Sequence, residues 1–430
     1  MKKRALYIIY KVFVTLISAL TAASCEISPI GKEPESYDKV MLLYSAGFNN
    51  LTSYLRGDIE ELKKGTLPPA RNKDIVLVYS HFPTHGYNTP TSPVLVRLTS
   101  RKDKTVNVDT LVVFPESSIS ASAEQINNVL NYIKNKFQAQ SYGMIFSSHA
   151  TGYLPIGYYQ KQEDGDSDIV EWSSDLNWKR HAVPYEEPEY DPDLPMVKSI
   201  GQDQVGTHGN YLSYEIELPD FAAAIPMHLD YLLFDACLMG GIEVAYELKD
   251  KVGKLGFSQT EVLADGFCYQ TLTSHLLSGS GPDLTSVCMD YFNQYETQNG
   301  IYKSATISLI DCTKLDPLAE VCNMLFHKYS SEISAINPND VQRYFRSEKH
   351  WFYDLESILM NAGITEDEQN ELHAAMDGCV IYKAHTPMFM GEFEINTFSG
   401  FSMYLPAHGS ESLDNFYKTL KWNKDTGLVN

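Results

Sequence analysis

Two residues of the chain, His149 and Cys237, are of the types that covalent catalysis by a thiol requires. A cysteine sulfur attacks a carbonyl carbon once an imidazole has taken its proton, and the imidazole then hands that proton to the leaving group. Each residue follows a short apolar run, at 144–146 for the histidine and 231–234 for the cysteine. A helical pattern over 240–248 comes directly after Cys237. The first amides of that helix are donors available to a developing oxyanion.

Each of the two residues also has an ordinary structural interpretation. An isolated cysteine is most often a buried core residue, and an isolated histidine most often makes structural hydrogen bonds. Asp235 stands two residues before Cys237, so the two side chains lie on the same face of a strand. The alternative role for this carboxylate is to cap a helix or to accept hydrogen bonds from a loop.

The elements around these residues alternate between strand and helix. Helical patterns at 51–64 and 123–137 lie between apolar runs that predict buried strands. These runs cover residues 40–44, 75–79, 111–114, 144–146 and 231–234, followed further on by 254–262 and 304–310. The alternation predicts an α/β fold with a mostly parallel central sheet and helices on both faces. In such sheets the loops at the carboxyl ends of neighbouring strands form the active-site crevice, which is where both residues are expected.

The sequence around the two residues resembles the clostripain peptidases, which belong to the caspase, legumain and gingipain clan. The run Asp235-Ala-Cys-Leu-Met-Gly240 is the most specific part of the resemblance. It is supported by Ser148-His-Ala-Thr-Gly152 with Leu154-Pro155, Glu243-Val-Ala245, Lys198-Ser-Ile-Gly201, Ser258-Gln259, Asp265-Gly-Phe267 with Tyr269, and Ser399 to Pro406. The resemblance extends over roughly residues 38 to 406.

The resemblance implies a fold, a reaction and a set of residues. The fold would be a caspase-like three-layer α/β/α sandwich with a C-terminal α+β extension. Cys237 would be the nucleophile of a cysteine endopeptidase that forms an acyl-enzyme, and His149 its acid and base. The backbone amides of Ala150 and Cys237 would bind the oxyanion, and the chemistry would require no cofactor.

The resemblance also implies substrates with basic residues. Asp235 and Asp265 would line the primary specificity pocket, where two carboxylates attract the cation of Arg or Lys. Relatives are often cut between the histidine and cysteine strands, and we expect self-cleavage at Lys179 or Arg180. Some relatives depend on calcium. Asp164, Asp166 and Asp168 alternate like part of a calcium loop, but Ile169 replaces the expected Gly and no Glu stands at the closing position.

One departure from the family pattern keeps a second hypothesis open. The family has Gly after the catalytic histidine and this chain has Ala150. If that position requires positive φ, a Cβ costs roughly 1 kcal/mol or more, which would disturb the oxyanion site. The alternative is therefore a catalytically inactive, clostripain-like protein that binds partners at the surface. A lipid-anchored glycan- or protein-binding module is a third hypothesis, suggested by the 28 tyrosines.

Composition excludes several classes of protein. The formal charge of −21 becomes −25 when residues 1–24 and their four basic side chains are removed, and this charge repels nucleic acid. The seven cysteines include no C-x-x-C pair, so neither a zinc site nor a disulfide framework is predicted. With 43% hydrophobic residues the chain can bury a large core.

The N-terminus carries the pattern of an exported bacterial lipoprotein. Four basic residues precede or flank an apolar run at 12–20, and small residues follow it up to Cys25. We expect a signal peptide over 1–24, lipid on Cys25 and a polar tether over 25–38, with membrane contact only through the lipid, at the periplasmic or the outer surface. The peptidase core is predicted over 39–335, with an acidic insertion at 160–204, and a C-terminal subdomain over 336–430.

Overall fold

The computed structural model describes residues 36–158, 181–185, 203–207, 210–346 and 351–430. Ser36–Asn430 form one compact unit. The strands are β1 (Tyr37–Ala46), β2 (Asp74–His81), β3 (Val94–Ser100), β4 (Val106–Val113), β5 (Ala139–Ser147), β6 (His181–Tyr185), β7 (Asp203–Thr207), β8 (Asn210–Glu215), β9 (Leu229–Asp235), β10 (Val252–Phe257), β11 (Thr306–Asp311), β12 (Tyr353–Asp354), β13 (Val380–His385), β14 (Met388–Phe389), β15 (Phe393–Glu394) and β16 (Ser402–Met403).

Twelve α-helices accompany these strands in the described part of the chain. They are α1 (Thr52–Leu62), α2 (Ala123–Lys136), α3 (Leu218–Ala224), α4 (Ile242–Leu248), α5 (Tyr269–Leu277), α6 (Leu284–Glu296), α7 (Asp316–Lys328), α8 (Ser330–Ser334), α9 (Leu355–Asn361), α10 (Glu366–Cys379), α11 (Glu411–Tyr417) and α12 (Lys421–Thr426). None of the described helices is both long enough and apolar enough to cross a membrane.

A nine-stranded sheet, in the order β13-β11-β10-β9-β5-β1-β2-β3-β4, forms the centre of the fold. The five strands from β10 to β2 in that order run parallel, while β3, β4, β11 and β13 are added antiparallel at the two edges. The central strand β1 is buried without interruption from Val40 to Ala46. Such a run is typical of a parallel strand that is covered on both faces.

Helices cover both faces of this sheet. Neighbouring residues of β9 point to opposite faces, and they contact different helices. Phe234 packs against Phe221 of α3, with ring centroids 5.7 Å apart, whereas Asp235 accepts a hydrogen bond from Tyr269 of α5. The predicted α/β/α layering is therefore confirmed.

Three parts of the strand prediction need correction. The run at 254–262 was expected to be one strand, but β10 ends at Phe257 and the next residues form a loop. The run at 111–114 was expected to be buried, but it ends the edge strand β4, where Val113 is 61% exposed. The strand β3 was not predicted, although it pairs β2 with β4. A short apolar run does not distinguish an edge strand from a central one.

The region predicted as an acidic insertion ends in ordered structure. Strands β6, β8 and β7 form a small antiparallel sheet in that order. Asp203 of β7 is fully buried, and its Oδ2 lies 3.3 Å from Nδ1 of His81 at the end of β2. Ser120 donates from its hydroxyl to Asp203 Oδ1 at 2.5 Å. The return from the insertion is thus fixed on the main sheet.

The C-terminal segment closes over the helix that follows the nucleophile. All residues of α4 are buried. Glu243 of this helix accepts hydrogen bonds from the Tyr404 amide at 2.9 Å and from the Tyr417 hydroxyl at 2.7 Å. Burial raises the pKa of Glu243 to about 7. A buried acid is thus one of the links between the C-terminal segment and α4.

Candidate active site

The two candidate catalytic residues follow the ends of adjacent parallel strands. Ser147 of β5 pairs with Asp235 of β9 in register. His149 and Cys237 each stand two residues further along, so they leave the sheet at the same edge and the same height. Neighbouring strands lie about 4.8 Å apart, which is within reach of an imidazole and a thiol.

The thiol of Cys237 is fully buried under the loop that follows β10. The Val262 amide donates to Cys237 Sγ at 3.0 Å. Behind the thiol, the Leu238 amide donates to Thr260 O at 3.0 Å and the Gly240 amide to Ser258 O at 2.7 Å. These contacts hold the loop, residues 258–263, against the turn after the nucleophile. We call this segment the covering loop.

The turn after Cys237 is tightly wound. Leu238 has φ of +60°, a left-handed conformation that is unusual for a residue with a Cβ and is found at functional sites. At Gly240 a Cβ would lie 2.6 Å from the Gln259 amide nitrogen. A glycine is therefore required there for the covering loop to approach the turn.

His149 is buried, and its imidazole contacts the turn that follows the neighbouring strand β1. Its Nε2 lies 2.6 Å from the side-chain oxygen Oδ1 of Asn50, in the turn between β1 and α1. The preceding residue, Ser148, donates from its hydroxyl to Ala46 O at 2.8 Å. Sequence reasoning did not identify Asn50. The only signal was a pair of asparagines directly after the first buried strand.

Ala150 does not occupy a strained position. The described non-glycine residues with positive φ are Lys104, Leu238 and Met390. The left-handed residue of the histidine loop is Gly152, with φ of +64°, where a Cβ would lie 2.6 Å from Leu238 O. The physical reason to expect an inactive protein from Ala150 is therefore removed.

Asp235 lies on the same side of the strand end as Cys237 and is fully buried. Its Oδ2 accepts hydrogen bonds from the Ser147 hydroxyl at 3.0 Å and from the Tyr269 hydroxyl. Burial, and after it the charge of Asp235, raises the pKa of Tyr269 well above its ordinary value, so this phenol remains a donor. Both of these donors are neutral hydroxyl groups.

Asp265 is exposed and lies in the loop that leads to α5. The neighbouring Gly266 has φ of +61°, and its carbonyl accepts a hydrogen bond from the Tyr295 hydroxyl at 2.8 Å. The pKa of Tyr295 is raised well above its ordinary value, chiefly by burial, and also by Tyr291, Asp235 and Asp265. The two predicted pocket carboxylates, one buried and one at the surface, therefore both act electrostatically on this phenol.

An ion pair lies beside the nucleophile. Arg346 donates from Nη2 to Glu261 Oε1 at 2.9 Å, and from Nε to the other carboxylate oxygen. Glu261 belongs to the covering loop and directly precedes Val262. The pKa of Arg346 is raised chiefly by its bond to Glu261, against the effect of burial, with a smaller contribution from Cys237. The guanidinium is therefore within electrostatic range of the thiol.

A small apolar recess of about 50 Å³ opens beside His149, on the face of the sheet opposite to Asp235. Phe146, Phe234 and Met239 line it together with Glu215. Burial raises the pKa of Glu215 to about 7 and that of Glu217 to about 8. The two carboxyls accept hydrogen bonds from the Gly157 and Ile156 amides at 2.9 and 2.8 Å, and they thereby hold the loop that follows the histidine.

Several predicted sites lie outside the described residues. These are Cys25, Lys179, Arg180 and the aspartates 164, 166 and 168. Within the described ranges no group of three or more His, Cys, Asp or Glu side chains is arranged to hold a metal ion.

A thiol and an imidazole on neighbouring parallel strand ends of an α/β/α sheet define the class of caspase-like cysteine peptidases. The sequence profile of the clostripain family, peptidase family C11, matches residues 43–165 and 186–428. The chain belongs to this family. The predicted family, the fold and the class of enzyme are thereby confirmed.

Solved structures of the family superpose over most of the chain. An inactive zymogen of a C11 protease from Parabacteroides distasonis is 26% identical, with a TM-score of 0.72, over 92% of this chain and 99% of that one. A secreted C11 cysteine protease from Bacteroides thetaiotaomicron, iotapain, is 22% identical, with a TM-score of 0.69, over 91% of this chain and 100% of that one. A C11 protease from the same organism, bound to an irreversible peptide inhibitor, also has a TM-score of 0.69, at 21% identity over 91% and 99% of the two chains. No curated protein matches the chain.

Proposed function

We propose that the chain is an exported, lipid-anchored endopeptidase that cleaves after Arg or Lys by means of Cys237 and His149. The observation that carries this proposal is the parallel register of Ser147 with Asp235. That register supports the proposal because His149 and Cys237 each follow, by two residues, a pair of strand ends that are direct neighbours in the sheet.

In the proposed reaction Cys237 Sγ gives its proton to His149 and attacks the scissile carbonyl carbon. The backbone amides of Ala150 and Cys237 bind the oxygen that becomes negative. The C–N bond then breaks, and His149 gives the proton to the departing amine, which leaves a thioester on Cys237. His149 next takes a proton from water, and the resulting hydroxide cleaves the thioester to a carboxylic acid and the free thiol.

The proposed preference for a basic residue follows from the charge of Asp235. Hydroxyl donors from Ser147 and Tyr269 orient the buried carboxylate. A substrate side chain ending in an ammonium or guanidinium would form a charge-assisted hydrogen bond with this carboxylate. In this proposal the exposed Asp265 attracts that cation before it enters.

The described conformation is a resting one in this proposal. Cys237 is fully buried, and the covering loop occupies the approach to its sulfur. Substrate therefore requires a movement of residues 258–263. We propose that self-cleavage at Lys179 or Arg180 permits this movement, and the relative from P. distasonis, described as an inactive zymogen, supports the idea of a resting form.

The proposed location rests on the N-terminal sequence. Basic residues, a short apolar run and small residues before Cys25 together match the export and lipidation pattern of bacterial lipoproteins. The relative described as secreted is consistent with export. Mass spectrometry of the protein purified from membranes would show a lipid-modified Cys25 at the new N-terminus, and an unmodified terminus would contradict the anchor.

The proposed activity is tested with four fluorogenic peptides that differ only in the residue before the cut, which is Arg, Lys, Asp or Asn. We expect hydrolysis of the Arg and Lys peptides and none with Cys237→Ala. Mass spectrometry of both proteins after purification should find an internal cut at residue 179 or 180 in the wild type only. Equal hydrolysis of the Asp or Asn peptide would overturn the proposed specificity. Labelling of the wild type by a peptidyl acyloxymethyl ketone at a site other than Cys237 would overturn the nucleophile.

A further inference from the structure

We propose that Asn50 is a positioning residue for the proposed acid and base, and that it completes a Cys–His–Asn arrangement in this chain. This inference rests on the proposed roles of Cys237 and His149. The side chain of Asn50 would hold Nε2 of the imidazole, so that the opposite ring nitrogen, Nδ1, exchanges protons with the thiol.

The chemistry of the contact fixes which imidazole nitrogen carries the proton. The amide oxygen of Asn50 only accepts hydrogen bonds, and it lies 2.6 Å from His149 Nε2. A hydrogen bond to this oxygen therefore requires the hydrogen to sit on Nε2. A neutral imidazole has one N–H, so Nδ1 carries the lone pair that takes the thiol proton.

The turn that carries Asn50 is built to hold its side chain in place. Asn49 donates from its side-chain amide to Ala46 O at 3.1 Å, and its Oδ1 accepts the Leu51 amide at 3.0 Å. The Thr52 hydroxyl lies 2.7 Å from Gly47 O and 2.6 Å from Asn49 O. A Cβ at Gly47 would lie 2.4 Å from the Phe82 ring, so the turn is also packed tightly from outside.

The same turn is attached to the strand of the imidazole. The β1 strand pairs with β5 in parallel register, Ser45 with Ser147. The Ser148 hydroxyl donates to Ala46 O at 2.8 Å, one residue before the turn begins. Asn50 and His149 are thus carried by neighbouring strand ends that are hydrogen-bonded to each other, and their contact does not depend on a mobile loop.

An uncharged acceptor at position 50 orients the ring without stabilising its positive form as strongly as a carboxylate would. This gives the proposal two separable predictions. Asn50→Leu removes the acceptor at similar volume, whereas Asn50→Asp keeps the acceptor and adds a negative charge next to the imidazole. Glu215, which lines the same recess as His149, is unchanged in both variants, as are Asp235 and Arg346.

The kinetic test compares kcat, KM and the pH profile on an Arg peptide, with the processed enzyme. Asn50→Leu should lower kcat at least tenfold with KM changed less than about twofold. Asn50→Asp should retain most of the activity and move the acidic limb of the profile to higher pH, because the introduced carboxylate favours the imidazolium over the neutral imidazole that takes the thiol proton. Asn88→Leu, the same change at an exposed asparagine, is the matched control. Wild-type kcat in Asn50→Leu would overturn the proposal.

A second measurement does not depend on activity. In Cys237→Ala, with 15N-labelled histidine and His149 assigned from its loss in His149→Gln, the ring nitrogens at alkaline pH should show the form protonated at Nε2. Adding Asn50→Leu should abolish this fixed tautomer. A wild-type-like Nε2–H signal in the Asn50→Leu background, or an Nδ1–H tautomer in its absence, would overturn the proposal. Absence of all peptide hydrolysis and of Cys237 labelling in the wild type would instead overturn the proposed function, and the tautomer would still be decided.

Discussion

At the scale of single residues, the fully buried Asp235 is the side chain that most directly links the geometry to a choice of substrate. Two hydroxyl groups donate to one of its oxygens, and it ends β9, two residues before Cys237. A charged hydrogen bond in a buried site contributes about 1.5–3 kcal/mol. Removal of this carboxylate should therefore lower kcat/KM for basic substrates and leave kcat/KM for other substrates unchanged.

Asp235→Asn is expected to reduce kcat/KM for Arg and Lys peptides by about 10- to 100-fold, the equivalent of that contribution. Steady-state kinetics with the processed enzyme measures the change. Asp230→Asn, at a partly buried aspartate at the start of the same strand, is the control for an amide introduced into β9. Unchanged kcat/KM in Asp235→Asn would exclude this residue from the specificity pocket.

A second residue-scale prediction concerns Glu261, which connects Arg346 to the loop over the nucleophile. Its ion pair is mostly shielded, with side chains 20% and 14% exposed, so its loss should loosen the covering loop. Glu261→Gln is expected to speed alkylation of Cys237 by iodoacetamide in the uncut Lys179→Ala, Arg180→Ala background. Peptide mapping distinguishes Cys237 from the partly exposed Cys268.

The control for this experiment is Glu296→Gln, which breaks an ion pair with Lys303 at 2.6 Å that lies closer to the surface. Equal alkylation rates in Glu261→Gln and in the parent would show that the ion pair does not keep the thiol covered.

At the scale of the elements, the pairing of β5 with β9 determines where His149 and Cys237 leave the sheet. This pairing requires a glycine, Gly143, in β5. A Cβ at Gly143 of β5 would fall 1.8 Å from the ring of Tyr231, its partner in β9. The glycine leaves room for a buried aromatic ring across the pair. The register that aligns His149 with Cys237 thus depends on a residue four positions before the strand ends.

Gly143→Ala is expected to destabilise the fold by about 1–3 kcal/mol through overpacking, measured by urea unfolding of the Cys237→Ala protein. Gly57→Ala is the matched control. Gly57 lies inside α1, and a Cβ there meets nothing within 4 Å, so it should stabilise the protein by about 0.5–1 kcal/mol through helix propensity. The prediction is contradicted if both substitutions change the free energy of unfolding in the same direction.

Much of the element order could be predicted, because apolar spacing is local. The helix over 123–137 shows its buried face in the sequence, and Ser122 caps it as α2 begins. The parallel centre followed from the alternation of strand and helix. By contrast, β3 contains the buried Arg97, which donates to Ala70 O at 2.8 Å. A local sequence pattern does not predict a buried strand that contains a charged residue, because the bonding partner of that residue lies elsewhere in the chain.

The same limit applies to the site. His149 and Cys237 could be proposed because each ends an apolar run within a specific motif. Asn50 could not, since its partner is 99 residues away in the chain. Nor could the burial of Asp203, which lies in an acidic stretch but meets His81 and Ser120 in the fold. Contacts between residues at strand ends can be predicted only when the order of the strands in the sheet is known.

At the scale of the whole molecule, buried carboxyls make the packing between segments sensitive to pH. Burial raises the pKa of Glu243, which joins α4 to the C-terminal segment, from 4.5 to about 7. The folded state therefore holds its proton more tightly than the unfolded chain does. Its contribution to stability is complete below about pH 4.5 and falls as the pH rises towards 7.

Glu243→Gln removes this titration, so the variant should gain stability relative to the wild type as the pH rises from 4.5 to 7. A rise of the pKa from 4.5 to about 7, at 1.36 kcal/mol per unit, corresponds to about 3 kcal/mol. Urea unfolding at several pH values, in the Cys237→Ala background, measures the difference. Glu371→Gln, at an exposed position of α10, is the control. A constant difference between wild type and Glu243→Gln across this range would contradict the assignment.

The insertion leaves the sheet after β5 and returns before β9, so any cut within it divides the chain between the two strands that carry the imidazole and the sulfur. Those strands are direct neighbours in the sheet. In addition Asp203, which follows the proposed cut in the sequence, is buried against His81, which precedes it. Hydrolysis of the linker would consequently sever the polypeptide without dissociating the protein. Its two pieces should migrate together under native conditions and part only when the sheet itself is unfolded.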